Sequence, residues 1–133
     1  MKTVLVFGCF DILHPGHLWF LQQAKKYGEM LVVVLARDIQ IARIKGHAPH
    51  MEEKDRLVLV KALKLVDNAY LGDTAYRYER LVKKIKPDTI VLGYDQKETI
   101  EEIQEKIGDN IHIVRLKAYK PKKYKSSLMY ARH

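Results

Sequence analysis

The chain has a single cysteine, Cys9, among its 133 residues. One cysteine excludes an intrachain disulfide and a cysteine-ligated zinc cluster. Long hydrophobic runs are missing as well: the longest, such as Met30–Ala36, are far too short to cross a bilayer. No signal-peptide pattern precedes Val4-Leu5-Val6-Phe7-Gly8, so a soluble cytoplasmic protein is expected. There is no internal repeat, low-complexity tract or interdomain linker, and the length predicts one domain over residues 1–133. Acidic residues are absent from the end of the chain. All 16 lie at or before Asp109, while Arg115, Lys117, Lys120, Lys122, Lys123, Lys125 and Arg132 follow with no acid among them. The net charge of +8 therefore belongs almost entirely to the last segment, which implies an anionic partner: a phosphate-rich small molecule or nucleic acid.

What is present is an alternation of short apolar runs and longer amphipathic stretches. The runs Thr3–Phe7, Met30–Ala36, Asn68–Leu71, Thr89–Leu92 and Ile111–Leu116 suit buried parallel strands. Between them, helices are predicted from Leu18, Phe20, Leu21 and Ala24 up to Gly28, and over Ile39–Ile44, Glu52–Leu65, Tyr76–Ile85 and Glu98–Ile107. A last short helix is expected over Ser126–Ala131. About five strands alternating with helices give an α/β fold: a Rossmann-like, open, doubly wound parallel sheet with helices on both faces. Ligands of such sheets sit at the carboxyl ends of the strands, near the point where the winding reverses.

At the end of the first strand the chain reads Gly8-Cys9-Phe10-Asp11-Ile12-Leu13-His14-Pro15-Gly16-His17. Gly8 and Gly16 permit close approach to the backbone, and Pro15 suits the first turn of a helix, where its missing donor costs nothing. The helix start offers free N–H groups and the positive end of its dipole to an anion. His14 and His17, three residues apart, can both face that point and donate to phosphate oxygens. Two rival readings stand beside this one. An arbitrary His-x-x-His is more often part of a plain loop, and the pair could ligate zinc, with Asp11 the only nearby third ligand.

This ten-residue run resembles the first motif of the HxGH nucleotidyltransferase superfamily, which includes the cytidylyltransferases. The family's other landmarks follow in order. The resemblance implies that Asp38 and Lys45 lie near the acceptor, with Asp11 and the helix residue Arg56. It implies that Cys9, Phe10, Pro15, Gly16 and the Gly93-Tyr94-Asp95 turn border the nucleotide. It also implies that Tyr124, Lys125, Ser126 and Ser127 hold the triphosphate, although that last motif is shorter than the family's common form. Gln96 follows Asp95, where some cytidylyltransferases carry a tryptophan or second acid. The Gly-Tyr-Asp-Gln sequence, the Arg43-Ile44-Lys45-Gly46 stretch and the short length are most similar to the archaeal type of FAD synthase.

The resemblance implies transfer of AMP from ATP to the phosphate of FMN with release of pyrophosphate. His14, His17 and Lys45 would be catalytic, and Mg²⁺ or another divalent cation would accompany ATP. The alternatives are a glycerol-3-phosphate cytidylyltransferase or a sugar-phosphate adenylyltransferase. A phosphate nucleophile is already ionised, so no general base is needed. A homodimer is implied by the same resemblance. The tyrosine-bearing basic tail leaves a rival of another class, a nucleic-acid-binding module, though without a folded recognition motif. Read singly, Arg56 could form a surface pair with Glu52, Asp95 could cap a helix, and Cys9 could be a small buried residue.

Overall fold

The computed structural model describes residues 1–73, 78–94 and 96–117. Five strands occur among them: β1 (Thr3–Gly8), β2 (Met30–Leu35), β3 (Asn68–Leu71), β4 (Thr89–Leu92) and β5 (His112–Arg115). Five helices connect them: α1 (Pro15–Lys25), α2 (Asp38–Lys45), α3 (Glu53–Lys61), α4 (Tyr78–Ile85) and α5 (Ile100–Ile107). The strands form one parallel sheet in the order β3-β2-β1-β4-β5, as expected for a doubly wound fold.

The unbroken apolar runs have their physical reason in this sheet. Alternate residues of one strand feed opposite faces. Val4, Val6, Val33, Leu35 and Val91 join Leu21 and Ala24 of α1 and Val60 of α3 on one face. Leu5, Val32, Val34, Ile90 and Leu92 join Val82 of α4 and Ile103 of α5 on the other. Strands covered on both faces have no polar side, so their sequences cannot alternate.

Helix limits differ from expectation in two places. The Glu52–Leu65 stretch stays α-helical only from Glu53 to Lys61. Its end tightens into turns in which Leu63 N–H donates to Val60 O and Val66 N–H to Leu63 O. These turns still deliver Leu63, Leu65 and Val66 to the core. The charged helix before β5 begins at Ile100 rather than Glu98, because the Thr99 hydroxyl caps it by accepting the Glu102 N–H. The expected helix at Ser126–Ala131 lies outside the described residues.

After β3 the chain crosses to the far side of β1 and begins to wind over the other face. The ends of β1 and β4, paired through Val6 and Val91, thus release their connections onto opposite faces of the sheet. The crevice between these connections is where a doubly wound fold takes a ligand.

Gly28 marks the turn from α1 into β2. A Cβ there would sit 2.6 Å from the Lys2 carbonyl oxygen, which already accepts from Glu29 and Met30 N–H groups. Gly28→Ala is expected to destabilise the fold by about 1–3 kcal/mol, since backbone must yield to the added methyl. Chemical denaturation of the variant beside the parent checks this, and equal midpoints would contradict it.

Candidate active site

The site begins with Gly8. A Cβ on Gly8 would lie 2.5 Å from the Phe10 ring, so only glycine lets that ring fold back over the end of β1. Phe10 does so at a φ of 50°, a conformation that L residues rarely adopt, and the residue is 4% exposed. The Phe10 ring lies 5.2 Å from that of His17. Pro15 is the first residue of α1, and His14 caps the helix.

The cap fixes the chemistry of both imidazoles. Gly16 N–H donates to His14 Nδ1 at 3.1 Å, and His14 N–H donates to His17 Nδ1 at 3.3 Å. A nitrogen that accepts a hydrogen bond carries no proton, so each neutral ring bears its proton on Nε2. The rings stack with centroids 3.9 Å apart. Burial lowers the His14 pKa. His17 is pushed down to about 3, chiefly by burial, then by the His14 and Lys45 charges, against a hydrogen bond to the Ile12 backbone. At neutral pH the pair is uncharged and stands at the positive end of a helix, with the His17 N–H turned to the Ile12 backbone.

Lys45, the last residue of α2, is exposed, and its charge reaches His17. Gly46 ends α2 in the left-handed region, at a φ of 78°. The structure therefore brings His14 and His17 together at the start of α1, next to Cys9, Phe10, Pro15 and Gly16 along the chain, with the Lys45 charge acting on His17. Gly93 and Tyr94 follow β4 across the crevice. Asp95, Tyr124, Lys125, Ser126 and Ser127 lie outside the described residues.

Two expectations are corrected. Arg56 is neither a surface residue paired with Glu52 nor open to a ligand: it is fully buried. Its Nη1 donates to the carbonyls of Cys9 and Ala36, each at 2.8 Å, and Nε donates to Met51 O at 3.0 Å. Nη2 pairs with Asp38 Oδ1 at 2.7 Å. Asp11 is 1% exposed, and its two oxygens accept the N–H groups of His50 and Met51, each at 2.8 Å. Both residues thus brace the site from beneath. The second oxygen of Asp38 accepts Glu53 N–H at 3.2 Å, while Glu53 returns the bond from Asp38 N–H at 2.9 Å. The α2 and α3 starts are locked to one another by this exchange. Arg37 extends the lock, donating to Glu53 and to the Gly72 carbonyl.

Sequence reasoning missed Arg37 and Glu53, and the Arg115 guanidinium, which donates to the carbonyls of Gly93, Gln96 and Glu98. Each reads as an ordinary charge in a charge-rich chain. Among the described residues no three His, Cys, Asp or Glu side chains gather into a metal site.

Comparison with known proteins now decides the family. The cytidylyltransferase-like family model matches residues 5–132. The chain belongs to the cytidylyltransferase-like family. Curated relatives named FAD synthase include one from Aciduliprofundum boonei, 49% identical over 90% of this chain and 80% of that one. Another, from Methanohalophilus mahii, is 46% identical over 87% of this chain and 82% of that one. Among solved structures, a Thermoplasma volcanium protein titled lipopolysaccharide core biosynthesis protein superposes with a TM-score of 0.83 at 46% identity. It covers 90% of this chain and 99% of its own. The pantoate-beta-alanine ligase of Francisella tularensis, at 15% identity and a TM-score of 0.61, covers 86% of this chain and 58% of its own. It shares the fold.

Two outcomes follow for this cytidylyltransferase-like site. His17 is held neutral in the folded state, so the unfolded chain takes up its proton first as pH falls. Its contribution to stability is intact above about pH 6.5 and is lost progressively from there toward pH 3. Melting temperatures of the parent are expected to fall more steeply between pH 6.5 and 5 than those of His17→Gln; parallel curves would contradict this. Arg56→Ala leaves three half-buried carbonyls and the Asp38 carboxylate without their donor and is expected to cost roughly 3 kcal/mol or more. Denaturant unfolding measures it, and a loss below about 1 kcal/mol would show that these contacts contribute little.

Proposed function

We propose that the protein is an FMN adenylyltransferase: FMN and ATP react to give FAD and pyrophosphate. The observation that carries this reading is the uncharged His14–His17 pair at the start of α1, with its Nδ1 atoms committed to backbone donors. The similarity to relatives named FAD synthase over most of the chain supports the choice of acceptor and nucleotide.

In this mechanism a terminal phosphate oxygen of FMN attacks the α-phosphorus of ATP in line. One P–O bond forms to FMN as the bond to the β-phosphate oxygen breaks, and pyrophosphate leaves with the electron pair. The acceptor is already ionised, so the protein has to position charge and compensate it rather than abstract a proton. His14 and His17 donate from Nε2 to the phosphate oxygens as negative charge shifts toward the leaving group, the His17 N–H exchanging the Ile12 backbone for phosphate when substrate binds. Neutral donors suit a buried position, where an imidazolium would bear a desolvation cost. Lys45 supplies the positive charge beside the reacting phosphates. Cys9, Phe10, Pro15 and Gly16 line the nucleotide on the β1 side, and Gly93, Tyr94 and Asp95 border it on the β4 side. Tyr124, Lys125, Ser126 and Ser127 grip the β- and γ-phosphates. A divalent cation such as Mg²⁺, bound to the triphosphate, would neutralise charge on it.

The chain acts as one catalytic domain in the cytoplasm. No described helix is long and apolar enough to cross a membrane. We further propose a homodimer, a reading supported by the exposed Val58 and Leu59 on α3.

The test is to mix the protein with ATP, Mg²⁺ and FMN and to follow FAD and pyrophosphate. His14→Ala and His17→Ala are each expected to lose more than about a hundredfold in kcat, as removal of a positioned transition-state donor should. Turnover near that of the parent would reject the role assigned to the histidine concerned. Use of CTP with glycerol 3-phosphate in place of ATP with FMN would reject the substrate assignment.

A further inference from the structure

The basic run at the end of the chain opens with Arg115, which the charge pattern groups with the phosphate-gripping residues. The structure gives it other partners. Arg115 Nη1 donates to the carbonyls of Gly93 and Gln96, each at 2.9 Å, and Nη2 donates to the Glu98 carbonyl. One guanidinium therefore spans the β4–α5 connection from its first residue to the last one before the Thr99 cap. The loop is closed from within as well, since Gln96 Oε1 accepts Gly93 N–H at 2.6 Å. Arg115 is itself fixed by the sheet. Leu92 pairs with it in register, and the next residue, Leu116, donates to the Leu92 carbonyl.

This loop leaves the sheet beside the end of β1, opposite the α1 helix start that faces phosphate. On the nucleotidyl-transfer reading, a nucleotide with its phosphates at His14 and His17 would extend its sugar and base toward Gly93 and Tyr94. Tyr94, 39% exposed, stands between two of the carbonyls that Arg115 holds. A loop that had to be ordered on binding would weaken affinity by the entropy of ordering it. A guanidinium already engaged by three carbonyls does that ordering beforehand.

We propose that Arg115 is a positioning residue for the nucleoside half of the nucleotide: it holds Gly93, Gln96 and Glu98 beside Tyr94, where sugar and base are received, and it does not grip the triphosphate. The proposal rests on the nucleotidyl-transfer reading above. It removes one of the seven cations of the terminal run from the phosphate clamp and gives it to recognition on the opposite side.

The experiment uses the full chain with Arg115→Gln and Arg115→Lys. It reads KM for ATP, KM for FMN, kcat, melting temperature, and the inhibition constant of inorganic tripolyphosphate, which has phosphates but no base. Arg115→Gln is expected to raise KM for ATP about tenfold, the scale of losing charged hydrogen bonds. FMN KM and the tripolyphosphate constant should stay within about twofold, because their contacts are made elsewhere. Arg115→Lys should recover only part of the loss, since a point charge cannot bridge three carbonyls.

A tripolyphosphate constant that weakens in step with ATP would make Arg115 a phosphate ligand and overturn the proposal. An unchanged ATP KM would overturn it too, even with a lowered melting temperature, since that is the pattern of a purely structural residue. If Arg115→Gln does not fold, Arg115→Lys is judged by the same ratios. If the parent makes no FAD, the transfer reading fails by itself. The dissociation constants of ATP and tripolyphosphate, measured by calorimetry, then decide the Arg115 claim by the same pattern.

Discussion

The buried guanidinium of Arg56 is the contact on which the rest of the site depends. It reaches the Cys9 carbonyl just past β1, the Ala36 carbonyl just past β2, the Met51 carbonyl before α3, and the Asp38 carboxylate that begins α2. Parallel strands end without a hairpin to organise them, so their last carbonyls need donors from elsewhere. A planar group with five N–H bonds can serve several at once, which a lysine cannot do. With Asp11 holding the same His50–Met51 segment by its N–H groups, both polar atoms of the Met51 backbone are engaged from below. The Cys9–His17 turn then rests on a fixed base, and the strained Phe10 backbone is sustained by packing around its ring.

Charge is divided accordingly. The charges on Arg56, Asp38, Asp11 and Arg115 are spent on backbone and, for Arg56 and Asp38, on one another. The groups at the proposed reacting position are neutral imidazoles and an exposed lysine. A buried imidazolium would cost desolvation, whereas neutral rings, each oriented by one backbone donor, cost little and are ready before substrate arrives. The stacked rings need this neutrality, because two imidazolium ions 3.9 Å apart would repel.

Much of the fold was readable because it rests on short-range rules. Runs such as Met30–Leu35, apolar on both faces, declare a parallel buried strand, and Pro15 and Gly28 bracket α1 within a few residues. The winding of such a sheet then points to the end of β1, and His14 and His17 are legible there because helix capping is local. Arg56 and Asp11 were not legible in their true roles. An arginine four residues after Glu52 has a local partner on paper, and nothing in the spacing says that it turns inward toward carbonyls 20 and 47 residues away. Arg115 fails for the same reason: composition counts its charge with its neighbours in sequence, while the β4–β5 register assigns it to a loop on the preceding connection. The family resemblance could place Asp11 and Arg56 near the chemistry but could not tell a ligand from a brace.

The central claim is that acceptor phosphate attacks the α-phosphorus directly, with neutral donors and no covalent enzyme intermediate. Stereochemistry at that phosphorus tests it most directly. With ATP carrying a stereodefined sulfur on the α-phosphate and FMN as acceptor, a single in-line displacement predicts a flavin dinucleotide of inverted configuration at phosphorus. Retention of configuration would mean two displacements through an adenylylated side chain, and would contradict the account.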